Sequence, residues 1–242
     1  DQLTSYWPLV EDKLPGKHRY TLPIFMTVEA SHYLMMQLVE ERLGQGGFRD
    51  VKSTPDAIAI QLLDNLNLAA VSEISLEEAF FRLRSLGAIG GGTEKLAAYK
   101  DAVEVMKQFR MNCLQTRSID YSLMVQLYTT FLFKNDEYLK RLDANYHYLI
   151  VDDLEETVPV AQDLIVHFLK RAKGVYLGYN PQGGHTDFFG AYPEGVERNI
   201  LPLCTVKELK RASLEDKMKD FADDLVGILA GKPVDIKSVA SS

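Results

Sequence analysis

Tyr146-His147-Tyr148-Leu149-Ile150-Val151 is an aromatic and β-branched run that ends at once in Asp152-Asp153-Leu154-Glu155-Glu156-Thr157. Branched and aromatic side chains pack well on a pleated surface, so the run reads as a strand. In a parallel α/β sheet, ligands bind at the carboxyl ends of strands. A carboxylate placed there can hold Mg²⁺ through oxygen ligands, and its neighbour can orient an attacking water. The same residues also suit an acidic loop, with Glu155 and Glu156 favouring the N-terminus of the next helix.

Around this run the chain alternates short apolar stretches with longer amphipathic ones. Residues 22–27 read as a buried strand. Residues 30–43 follow as a helix closed by Gly44, Gly46 and Gly47. Thr54-Pro55 has the form of an N-cap with proline at the first helical position, opening a helix over 55–65. Ser75 and Glu78 have capping-box spacing ahead of a helix over 79–86. The Gly90-Gly91-Gly92 run is the strongest internal break. Thr93 then caps a helix toward Phe109 with Leu96, Tyr99, Val103 and Met106 on one face. Further helices are expected over 121–133, 136–142, 159–170 and from Ser213 to about Leu229. Further strands are expected over 174–178 and 204–206. Strands and helices alternating at both ends, with helices alone between them, predict an α/β domain carrying a helical insertion.

Composition narrows the class. With 242 residues, 46% hydrophobic and 25% charged, the chain suits one to two globular domains with a sizeable core. It does not suit disorder, collagen or a disulfide scaffold. A net charge of −7 gives no global basic character. Cys113 and Cys204 have neither metal-ligand nor redox spacing. They read as buried thiols, as in a cytoplasmic protein. No apolar stretch approaches the roughly 18 residues of a membrane span.

The segment from Tyr146 to Thr157, followed by Pro159 and Gln162, resembles the Walker B region of UvrD/Rep/PcrA-type superfamily 1 DNA helicases. That region is a strand, then V-D-E-[FY]-Q-D-T, then a helix containing a Gln. Asp152 matches the magnesium-binding Asp, and Asp153 stands where the family has its catalytic Glu. Downstream, Gly178, Gln182, Gly190 and Ala191 match the family's G-D-x-D-Q…R-G-A segment, with one extra residue and Phe189 in place of Arg. Thr27-Val28-Glu29-Ala30 resembles its T-N-K-A segment. Thr54 through Ala59 has the spacing of T-F-H-S-F-A. Leu209-Lys210-Arg211-Ala212-Ser213 resembles the motif whose Arg approaches the terminal phosphate. The five segments occur in the family's order.

The departures share a pattern: the apolar frame is kept while polar contact residues change. The family's phosphate loop, Gly-x-x-x-x-Gly-Lys-Ser/Thr, does not occur in the chain. Leu14-Pro15-Gly16-Lys17-His18 is the nearest approach, without the first glycine or the Ser/Thr that holds Mg²⁺. A chain opening at Asp1 reads as processed or excised, so that loop is looked for upstream.

Residues 82–117 hold seven Lys and Arg against three Asp and Glu, although the chain is acidic overall. Lys100 and Lys107, seven apart, share a helix face that could touch DNA phosphates or simply be solvated. His147 and His167 read as packing histidines. His185 falls where the family stacks a Tyr.

The resemblance implies a RecA-like, P-loop NTPase-type parallel sheet flanked by helices, with an all-helical insertion. Its parts would be 1–67 and 146–242 of the α/β domain and 68–145 as the insertion. It implies a fragment of an ATP-dependent DNA translocase using ATP and Mg²⁺. Asp152 would hold the metal and Asp153 would be catalytic. Gln182 and Arg211 would contact nucleotide, and Thr54, Lys100, Lys107 and His185 would contact DNA. Its partners would be single-stranded or partly duplex DNA and a second RecA-like domain of the parent chain, with no membrane involved. The alternative is a degenerate, non-hydrolysing helicase-like module that serves as a DNA- or protein-interaction scaffold.

Overall fold

The computed structural model describes residues 2–14, 22–79, 81–82, 85, 93–186, 189–208 and 227. The chain divides into two compact units, Asp1–Leu203 and Cys204–Ser242, and every helix and strand named here lies in the first.

Local chemistry sets the helix starts. Two short helices, α1 (Gln2–Ser5) and α2 (Trp7–Glu11), precede β1 (Ile24–Phe25). Thr27 Oγ1 accepts the Ala30 N–H at 3.2 Å and opens α3 (Val28–Gly44). Thr54 Oγ1 does the same for Ala57 at 3.2 Å, and Pro55 leads α4 (Pro55–Val71). These caps satisfy N–H groups that have no partner within the helix. The long α5 (Thr93–Thr116) leads into β2 (Ser118–Ile119). Asp120 then caps α6 (Tyr121–Leu127) through the Ser122 and Leu123 N–H groups, and α6 continues as a π-helical turn, Tyr128–Leu132. Asn135 caps α7 (Asp136–Asn145). β3 (Tyr148–Val151), α8 (Pro159–Leu169) and β4 (Gly174–Leu177) complete the set used here.

The strands form two separate parallel pairs. β1 pairs with β2, Phe25 opposite Ile119, and β3 pairs with β4, Ile150 opposite Tyr176. Helix makes up 65% of the structure and strand 6%. This overturns the expected RecA-like sheet flanked by helices. Residues 22–27 supply only the two-residue β1, and 204–206 form no strand. The physical reason is where the apolar faces go. Met35 and Val39 of α3, Leu62 and Leu66 of α4, and Phe109 and Cys113 of α5 are buried in one cluster with Trp7. The long helices therefore bury their stripes against one another rather than on a sheet. A short apolar run looks the same in a sequence whether it fills a central strand or a brief bridge between helices.

The stripe on α5 is also rotated from the expected one. Val105, Met106, Phe109 and Cys113 are buried, while Leu96 is exposed. Asp101 is drawn in as well. Its oxygens accept Arg42 Nε at 2.9 Å and the Phe48 N–H at 2.7 Å.

Candidate functional site

The acidic segment leaves the carboxyl end of β3 beside the end of β4. Gly178 N–H donates to Val151 O at 2.7 Å, and Leu154 N–H donates to Gly178 O at 2.9 Å. A Cβ at Gly178 would sit 2.8 Å from Asp152 Oδ1, so the glycine lets that carboxylate lie close against the end of β4. Asp152 Oδ1 accepts the Asp153 N–H at 3.1 Å. Asp153 adopts left-handed backbone, φ 49°, which Asp tolerates better than most residues and which turns the chain out of the strand. Both aspartates are exposed.

The next two carboxylates serve the fold. Glu155 is buried, and its Oε2 accepts the Asn180 N–H at 2.9 Å. Glu156 accepts N–H groups from Gly184 at 3.0 Å and from His185 and Thr186 at 3.2 Å, together with the Thr186 hydroxyl. These donors, the Thr186 hydroxyl foremost, hold the Glu156 carboxyl below the usual carboxylate range. Glu155 and Glu156 thus fasten the 180–186 loop to the end of β3. Gly184 is required in that loop: its φ is +83°, and a Cβ there would run into Pro193. Gln162 is buried behind it, its Nε2 donating to Thr157 O at 2.9 Å and Tyr192 O at 2.8 Å.

The predicted residues separate into two sets. Asp152, Asp153, Gln182 and His185 all belong to the loops at the carboxyl ends of β3 and β4. Gln182 is exposed, its N–H donating to Asn180 Oδ1 at 3.1 Å. His185 is exposed too, tethered only through its N–H. Thr54, Lys100 and Lys107 lie on α4 and α5. Thr54 spends its hydroxyl as a cap. Lys107 pairs with Glu77 at 2.8 Å, and Lys100 reaches Glu104 at 4.0 Å. Arg211 lies outside the described residues.

Among the described residues, no three His, Cys, Asp or Glu side chains gather as metal ligands. Asp152 could supply one oxygen to a divalent cation, the others coming from water or phosphate.

Two features escaped the sequence reading. The outer face of the β3–β4 pair is bare: Tyr148 is 64% exposed, Ile150 79% and Tyr176 67%. The alternation Tyr146, Tyr148, Ile150 is the signal that could have shown it, since side chains two apart share a strand face. The other is Arg110, which lay in the basic stretch but pairs with no carboxylate among the described residues. Its Nη1 donates to Gln126 Oε1 at 2.6 Å, and its buried Nε–H has no acceptor among them.

Compared with known proteins, the chain matches no family model, and no curated protein matches its sequence. Among the described residues, no helix is long and apolar enough to cross a membrane.

Proposed function

We propose that this chain is a module that works by binding and not by hydrolysing ATP, with a protein as its partner. The observation that carries the reading is the bare face of Tyr148, Ile150 and Tyr176. Parallel strands are normally covered on both faces. Here Leu149 and Val175 pack toward the core while the opposite face meets solvent. Contiguous exposed apolar surface of this kind marks interaction sites. A protein surface fits it better than DNA, because Tyr148, Ile150 and Tyr176 bring no cationic group to that face to meet phosphates. Glu155 and Glu156, bound to the 180–186 loop, support the same reading, since half of the acidic run serves structure.

A competing reading, the DNA translocase, draws on one observation: Asp152 and Asp153 stand exposed at the carboxyl end of a parallel strand. In that reading the parent protein binds ATP and Mg²⁺ and moves on single-stranded DNA. One experiment separates the two. Single-stranded-DNA-stimulated ATPase of the full-length protein is measured for the wild type, Asp152→Ala and Asp153→Asn. The binding module predicts background turnover in all three. Turnover in the wild type that both variants lose overturns it.

A further inference from the structure

A cavity of about 530 Å³ opens between the end of α4 and the outer side of α5 and α6, on different elements from the acidic segment. Arg110, Lys107 and Lys134 line it, together with the hydroxyl-bearing Thr130 and the apolar Ile74 and Met111. Arg110 is the unusual member. Burial works against its charge, and Asp120 and Cys113 only partly offset that cost. Asp120 does not bond to it, because the Asp120 oxygens accept the Ser122 and Leu123 N–H groups and the Ser122 hydroxyl. Among the described residues, the guanidinium makes one hydrogen bond, to the neutral Gln126, and its Nε–H meets no acceptor. Arg110 is half-buried, with its Nε enclosed and its Nη1 contact to Gln126 exposed, so the guanidinium reaches the cavity without an ion-pair partner among the described residues.

Two carboxylates also line the cavity, and neither supplies it. Glu77 is paired with Lys107 at 2.8 Å. Glu73, held at φ 56°, is pushed toward its neutral form by burial and by the neighbouring Asp163, with Lys134 drawing it partly back. The cavity lining thus sets three cationic groups against two carboxylates, neither of them bonded to Arg110, beside a threonine hydroxyl and an apolar wall. Its size is that of a small-molecule site.

We infer that this cavity binds a phosphate group carried by a small organic molecule, with Arg110 as the central counter-charge and Lys134 at the mouth. Phosphate suits it because several acceptor oxygens can meet several separated donors at once, and because Arg and Lys recognise it through charge-assisted hydrogen bonds. The inference is independent of the binding-module reading, since no residue of the β3–β4 pair takes part.

The test is calorimetric titration of the full chain with inorganic phosphate and, separately, with AMP. Saturable binding is expected, with equal affinities assigning the site to phosphate alone and tighter AMP binding assigning the apolar wall to the organic body. Arg110→Gln should weaken binding by about tenfold or more, the loss of a charge-assisted contact. Its thermal midpoint without ligand should stay or rise, because an uncompensated half-buried charge is removed. A purely structural arginine would lower it. Lys134→Glu, at an exposed position, should weaken binding without touching the fold and serves as the test should Arg110→Gln not fold. Absence of binding to either probe at millimolar concentration overturns the inference. So does binding unchanged within twofold in both variants.

Discussion

Helix α5 and the strand pair β3–β4 use their side chains in opposite ways. α5 turns Val105, Met106, Phe109 and Cys113 into the core and carries Lys100 and Lys107 on its outer side, with Lys107 paired to Glu77. β3–β4 keeps Leu149 and Val175 against the core but leaves Tyr148, Ile150 and Tyr176 in solvent. The helices carry the stability of the unit. The strands hold apolar surface that their own unit does not use, together with the acidic turn at their carboxyl ends. The difference teaches that stability and recognition are placed on separate elements here, and it can be tested at each.

The largest effect is expected in the helical core. Phe109→Ala should lower unfolding stability by about 3–5 kcal/mol, the sum of lost transfer energy and a residual cavity. Chemical denaturation checks it. A loss below about 1 kcal/mol would mean that α5 does not anchor the core.

Asp101→Ala removes the acceptor of the buried Phe48 N–H as well as the Arg42 partner. An unsatisfied buried donor costs about 1–3 kcal/mol. The denaturation midpoint should fall accordingly, and Asp101→Asn should recover part of the loss because its amide oxygen still accepts.

Glu156 governs a smaller, local event. Its folded carboxyl titrates below the ordinary glutamate value. Its contribution is therefore complete above that ordinary value and is lost as pH falls through the lowered one. Protection factors of the Gly184, His185 and Thr186 amides, which allow for the slower intrinsic exchange in acid, should drop on acidification below about pH 4. Glu156→Gln should accelerate the same amides at neutral pH and remove the acid step. Unchanged exchange in that variant would show that the loop is held by other means.

The smallest effect on stability is expected where the comparison predicts none. Ile150→Glu with Tyr176→Glu should change stability by no more than about 0.5 kcal/mol, as for exposed positions generally. The same double change should abolish binding of an apolar dye such as anilinonaphthalene sulfonate. A stability loss comparable to that of Phe109→Ala would erase the distinction between the two regions.

The local layer of this structure was legible before any coordinates. Thr54-Pro55 opens a helix because a β-region threonine and a fixed proline φ suit those positions wherever they occur. Ser75 Oγ accepts the Glu78 N–H at 3.1 Å, as the capping-box spacing requires. The strands after Tyr146 and before Gly178 were readable from branched and aromatic residues. The fold class was not. Strand length and sheet membership depend on which distant segments pair, and residues 22–27 carry no information on whether they meet a wide sheet or, as found, only Ser118 and Ile119. The acidic run was legible as a site but not in its division of labour, because the donors that occupy Glu155 and Glu156 come from Asn180 through Thr186.

What the sequence determined by itself is therefore short-range. It set helix starts, the glycine that a left-handed turn demands at Gly184, and the strand that delivers Asp152 and Asp153 side by side. Each follows from backbone sterics and hydrogen bonds within a few residues. Tertiary structure alone decided that the helices pack on one another, that Tyr148, Ile150 and Tyr176 gather on one bare face, and that the Arg110 Nε is enclosed beside an amide and no paired carboxylate among the described residues. Burial and charge compensation are properties of what surrounds a side chain, and those surroundings come from segments dozens of residues away.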